Sequence, residues 1–229
     1  MTLEQNLKII LDKIELSKSK SPWGQQVELI AATKTRDILT IEELYQLGIK
    51  TIGENRIQEA EKKFTGFPGF ENIKKRFIGH LQTNKVNKCL KLFDSIDSID
   101  TIKLAKKINK ALQEAKKKVE CLIEINTSGE QQKHGFKPQI TNDLISCFEL
   151  TQLNIVGLMT VGPNTDSELS KRGAFILLRE LKSQINNELG FQAIKELSMG
   201  MTNDYELAIQ EGSTMVRVGT GLFGSRHYF

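Results

Sequence analysis

Val27-Glu28-Leu29-Ile30-Ala31-Ala32-Thr33-Lys34-Thr35-Arg36-Asp37 is the stretch that decides the fold. Its first seven residues are a largely apolar run of the kind that reads as a buried β-strand. Its last five form the turn leaving that strand, and they contain no glycine. An open doubly wound sheet usually carries a glycine-rich phosphate turn at this point. A closed barrel has no such need, so the turn favours the barrel. It also sets a lone lysine, Lys34, at the mouth of the strand. A partly desolvated lysine gives up its proton readily and can form a Schiff base with an aldehyde. The plain alternative is a solvated lysine that closes a strand.

Seven more apolar runs follow, at 50–54, 75–80, 93–97, 119–126, 155–161, 195–199 and 214–218. Most of the intervals have helical spacing. Over 101–117, Leu104, Ile108, Ala111, Leu112 and Ala115 repeat on one face. Over 203–211, Thr202 is the candidate cap and Gly212 the stop. Strands separated by helices pair in parallel, and eight such units predict an α/β fold, a single (β/α)8 TIM barrel. Residues 1–20 predict an N-terminal helix packed on it. Thr2 and Gln5 can box its start, and Leu3, Leu7, Ile10, Leu11 and Ile14 share a face. A typical barrel takes about 250 residues. Eight units therefore fill the 229-residue chain, and one domain over 1–229 is expected, with no second domain or long lid.

The composition is that of a chain with an ample core: 39% hydrophobic and 26% charged. The net charge of +4 comes from lysines scattered along helices. The densest run, Lys116-Lys117-Lys118, closes a helix, where cations suit the dipole, so no nucleic-acid partner is expected. Cys89, Cys121 and Cys147 have no CxxC spacing and read as buried free thiols, which implies a reducing cytoplasm. No apolar run is long enough for a transmembrane helix, and Glu4 with no arginine near the start argues against a transit peptide.

In such barrels the chemistry sits at the C-terminal ends of the strands. That rim holds Lys34, Gly53-Glu54-Asn55-Arg56, Gly79-His80, Asn126-Thr127, Met159-Thr160, Ser198-Met199 and Gly219-Thr220. Loops after strands seven and eight often bind phosphate, so Ser198, Gly219 and Thr220 read as a phosphate cradle; ordinary turn chemistry is the alternative. Arg217 lies inside the apolar run Met215-Val216-Arg217-Val218. A charge there must be paired or ligand-bound, and two accounts are open: an internal salt bridge, to Glu54 for example, or a ligand contact. His80 reads first as a core histidine. His80, His134 and His227 are too dispersed to predict a metal site, and no GxSxG or HExxH motif occurs.

The matching segments are Ala31-Ala32-Thr33-Lys34-Thr35, Gly53-Glu54-Asn55-Arg56-Ile57-Gln58-Glu59 and Phe77-Ile78-Gly79-His80-Leu81-Gln82-Thr83-Asn84-Lys85. They continue through Glu124-Ile125-Asn126, Lys133-His134-Gly135 and Gly157-Leu158-Met159-Thr160 to Leu197-Ser198-Met199-Gly200-Met201 and Gly212–Gly224. With these the chain resembles the pyridoxal 5′-phosphate (PLP) homeostasis family of alanine-racemase-like PLP-binding proteins. The resemblance implies PLP fold type III, with PLP held as a Schiff base on Lys34. It implies Arg217 opposite the pyridine nitrogen and Ser198, Gly219 and Thr220 on the phosphate. Asn55 and Met199 would line the pocket, and His80 and Met159 complete the expected cofactor residues. No catalytic residue and no metal ligand is implied. The family is cytosolic and often monomeric, without established turnover, and is thought to store PLP and deliver it to PLP-dependent apoenzymes.

The alternative is a PLP-dependent amino-acid racemase or lyase of low activity. An always-protonated Arg217 would make the ring a weak electron sink, which argues against transamination. A racemase also needs a second acid–base group facing Lys34. Tyr45 and Tyr228 read as remote and Tyr205 as packing. A phosphosugar enzyme on the same barrel is a third class. Lys133 is a candidate second amine near the exit, or simply a solvated loop lysine.

Overall fold

Eight parallel strands close on themselves in chain order: β1 Glu28–Ala32, β2 Thr51–Glu54, β3 Lys74–Phe77, β4 Ser95–Ile99, β5 Glu120–Glu124, β6 Asn154–Met159, β7 Glu196–Met201 and β8 Met215–Val218. The seam is the β1–β8 pairing, in which Ile30 lies beside Arg217. This computed structural model describes residues 1–65, 69 and 72–224. His227, Tyr228 and most of the 65–70 stretch lie outside the described residues.

Each predicted apolar run overlaps one strand. At β4 both ends are shifted by two residues, so that it runs on to Ile99 through Asp97 and Ser98. Apolar patterning stops short there because the buried polar residues of β4 are paired inside the barrel. Arg76 clasps Asp97 through two hydrogen bonds, Nε to Oδ2 at 2.8 Å and Nη2 to Oδ1 at 3.0 Å. Strand β3 ends at Phe77, three residues before its predicted end, and beyond it Gly79 passes tightly over the β2 loop, where a Cβ would collide with the Asn55 carbonyl oxygen.

The helices are α1 Leu3–Ser19, α2 Ile38–Gln46, α3 Ile57–Phe64, α4 Val86–Leu92, α5 Ile102–Ala115, α6 Asn142–Ser146, α7 Glu168–Leu189, α8 Tyr205–Gln210 and α9 Thr220–Phe223. Thr2 and Gln5 box the start of α1 reciprocally. This helix buries Leu7, Ile10 and Ile14 in a cluster with Tyr205, Ile209 and Leu222. Each of those aliphatic side chains contributes roughly 1.5–3 kcal/mol. Leu11 is an exception to the predicted face, at 42% exposure. The helical turn carries it past the edge of the Leu7–Ile10–Ile14 stripe.

Thr101 caps α5, and the left-handed Lys116 ends it. The predicted Thr202 cap of α8 is displaced: Asp204 takes the cap position, and Thr202 Oγ1 instead accepts the Gly221 N–H at 3.2 Å. Inside the barrel Ile30, Leu122, Met159 and Met215 pack together. Cys89, Cys121 and Cys147 are buried and free, and burial pushes the Cys147 thiol up to about 12. Among the described residues no helix is long and apolar enough to cross a membrane.

Candidate functional site

A cleft of about 640 Å³ opens at the C-terminal ends of the strands. Five of the sequence-predicted residues line it: Lys34, Asn55, Arg217, Gly219 and Thr220. Lys133 lines it too, with its Nζ 2.6 Å from Glu130 and donating to the Gly162 carbonyl at 2.8 Å.

Lys34 is half-buried in the turn after β1. The residues on either side of it are clamped from α3 and β2. Thr33 Oγ1 donates to Glu54 Oε1 at 2.6 Å, and Lys63 Nζ donates to the Thr33 carbonyl at 2.7 Å. The backbone N–H of Thr35 donates to Glu59. Thr35 sits at φ 64°, where a β-branched residue is strained by roughly 1–2 kcal/mol. Lys63 closes the set with ion pairs to Glu54 and Glu59, each at 2.7 Å. Sequence reading missed this clamp. Its signal was the Glu54–Glu59 segment, whose i,i+4 neighbour Lys63 shares the helix face with Glu59.

That arrangement decides one of the two open accounts of Arg217. Glu54 is committed to Lys63 and Thr33, and it does not pair with Arg217. Arg217 is 5% exposed and donates to three neutral oxygens: Ser198 O at 2.8 Å, Ser198 Oγ at 2.5 Å and Thr160 O at 2.6 Å. Burial holds its guanidinium below its ordinary value; the charges of Asp97, Glu124 and Asp204 oppose this only in part.

Four predicted residues lie elsewhere. Ser198 is fully buried beneath the cleft, holding Arg217. Met199, next in the strand, turns to the opposite face and packs in the shell between barrel and helices. Met159 lies in the interior layer with Ile30 and Met215. His80 is not a core residue. It is 43% exposed in its side chain, with Nδ1 3.0 Å from Asp100 Oδ2, and it stacks on His134 at 3.7 Å between ring centroids. Residues distant in sequence therefore meet here. Tyr205 packs against α1.

Two further groups matter. Asn55 Oδ1 is buried and has no hydrogen-bond partner among the described residues. Glu124, at the end of β5, is raised to about 7 by burial, with the Asp100 charge adding and Arg217 opposing.

The alanine racemase N-terminal domain family matches residues 6–227. A curated relative named pyridoxal phosphate homeostasis protein, from Aquifex aeolicus, is 37% identical, covering 98% of each chain. A relative of the same name from Haemophilus influenzae is 38% identical over 100% of this chain and 98% of its own. The chain belongs to this family, among its pyridoxal phosphate homeostasis proteins. The solved structure of Synechococcus elongatus PipY with PLP bound superimposes with a TM-score of 0.82 at 29% identity, covering 97% of this chain and 100% of that one. Family membership thus extends over the barrel and its N-terminal helix alike.

Proposed function

We propose that the chain binds pyridoxal 5′-phosphate in the rim cleft and acts in PLP homeostasis, storing the cofactor and releasing it to PLP-dependent apoenzymes. One observation carries this reading. A single cleft joins an amine (Lys34), a guanidinium held only by neutral oxygens (Arg217), a small-residue loop (Gly219-Thr220) and a buried acceptor with no hydrogen-bond partner among the described residues (Asn55 Oδ1). Those groups fit a planar, anionic aldehyde.

PLP supplies an aldehyde for amines and a ring that can withdraw electrons. Lys34 is the residue to hold the aldehyde covalently, and its flanking clamp orients the amine. Arg217 is always charged and has no proton to give the ring nitrogen, so it keeps the ring a weak electron sink. The phosphate falls to Gly219 and Thr220, and Ser198 serves by holding Arg217. Lys133 provides a second amine on the cleft wall for a cofactor in transit. The same reading makes the protein a cytoplasmic monomer. Three buried free thiols support a reducing compartment.

The test is the absorbance spectrum of the purified protein. A band near the visible edge is expected on PLP addition, lost in Lys34→Ala, with borohydride fixing the label on Lys34. Absence of both the band and any labelled lysine overturns the reading. Turnover of D- or L-alanine abolished by Lys34→Ala would replace it with a racemase.

A further inference from the structure

We propose that His80, Asp100 and His134 form a binding site for a divalent cation of the zinc class, beside the PLP cleft and independent of it. The three side chains come from the segments that follow β3, β4 and β5, and each offers one ligand atom. Those atoms all lie within 4.8 Å of one another. Both imidazoles turn Nδ1 toward the same carboxylate oxygen, Asp100 Oδ2, at 3.0 Å for His80 and 3.7 Å for His134. At 3.7 Å His134 is beyond hydrogen-bond reach of that oxygen, and its ring is held there by stacking on His80.

Metal–ligand bonds near 2.1 Å put neighbouring ligand atoms roughly 3–3.5 Å apart. The two rings stack at 3.7 Å, 12° from parallel, so binding requires them to part and turn until both nitrogen lone pairs converge on the ion. Two imidazoles and one carboxylate suit zinc and its transition-metal neighbours, whereas magnesium and calcium prefer all-oxygen sets. His80 and His134 are about half exposed, which leaves room for water to complete the shell.

The backbone beneath each ligand is fixed. Next to His80, the Gly79 carbonyl accepts the Ser98 hydroxyl at 2.6 Å. Asp100 is 7% exposed, and its other oxygen accepts from Thr101 Oγ1 at 3.2 Å, an orienting contact of the kind that tunes metal ligands. After His134, Gly135 takes φ 116°, and a Cβ there would lie 2.7 Å from the Asn126 nitrogen. Phe136 then pairs with Ile125. A bound cation would tie the loop after β5 to the ends of β3 and β4. That loop carries Lys133 to the cleft wall.

The test is titration of the full-length protein with CoCl2, followed by displacement with ZnCl2. Expected is one Co2+ per chain with visible d–d bands, no thiolate charge-transfer band, and release by Zn2+. His80→Gln and His134→Gln, both at exposed positions, should each weaken binding tenfold or more while leaving the thermal unfolding curve of the metal-free protein in place. Asp100→Asn should weaken it similarly. Absence of stoichiometric Co2+ binding overturns the proposal. So does affinity unchanged in both histidine variants, or a thiolate band that assigns the metal to cysteine.

Discussion

Arg76 and Arg217 are both buried in the same barrel, and their partners could hardly differ more. Arg76 is fully buried and clasps Asp97 with two charge-assisted hydrogen bonds, with Glu120 a further 3.4 Å contact. Burial pushes its guanidinium down, but Asp97, with Glu28 and Glu120, outweighs that and leaves it above its ordinary value. Arg217 donates only to neutral oxygens, and it lies below its ordinary value. The first cation is cancelled within the protein. The second has no ion-pair partner among the described residues and stands at the wall of the cleft, where the proposed function gives it a ligand. Buried charge is therefore structural or functional according to what neutralises it, not according to depth.

The largest expected effect breaks the structural pair. Asp97→Asn leaves buried Arg76 with only the longer contact to Glu120 as counter-charge and should cost about 3–5 kcal/mol in urea unfolding. Replacing both partners with apolar residues of similar volume should cost much less. If the single and double variants lose equal stability, the pair is not what holds β3 to β4.

Next comes Arg217→Met. Its hydrogen bonds to Ser198 and Thr160 are lost, but no opposite charge is orphaned, so the stability loss should be smaller than for Asp97→Asn. PLP affinity should fall ten- to hundredfold, the equivalent of about 1.5–3 kcal/mol for a charged contact. A spectroscopic PLP titration reads this directly. Unchanged affinity would make Arg217 as structural as Arg76.

Glu124 sharpens the comparison, because Arg217 partly offsets its burial. Its folded-state value is about 7, against an ordinary 4.5. The folded protein holds this proton more tightly than the unfolded chain does. Stability from it is complete below pH 4.5 and is lost as pH rises through 7. Glu124→Gln should flatten that decline, and the variant should exceed the wild type by about 2 kcal/mol at pH 8 in urea unfolding. A slope unchanged by the substitution would mean Glu124 is ionised throughout.

The fold was legible because its evidence is local. Most of the strands carry their own run of apolar residues and turn chemistry separates them; β3 and β4, with Arg76 and Asp97, are the exceptions. The site was legible where a residue sits at a strand end, as Lys34, Asn55 and Arg217 do. It was not legible where the strand pleat or a distant loop decides. Met199 differs from Ser198 by one position and therefore faces the other way. His80 and His134 come together only because β3 and β5 flank β4. The Arg217–Ser198 contact depends on how β7 and β8 shift register between Ser198 and Met201.

The smallest effect concerns backbone strain at the rim. Thr35 holds a left-handed conformation that glycine adopts freely, and its N–H is drawn to Glu59. Thr35→Gly relieves that strain but adds freedom to the unfolded chain, so the net gain should be about 1 kcal/mol or less. The functional consequence has the opposite sign. A glycine beside Lys34 loosens the turn that aims the amine, so the covalent PLP adduct should form more slowly in stopped-flow absorbance, even though the protein is no less stable. Faster or equal adduct formation in the glycine variant would show that the Glu54–Glu59–Lys63 clamp orients Lys34 without help from the strained turn.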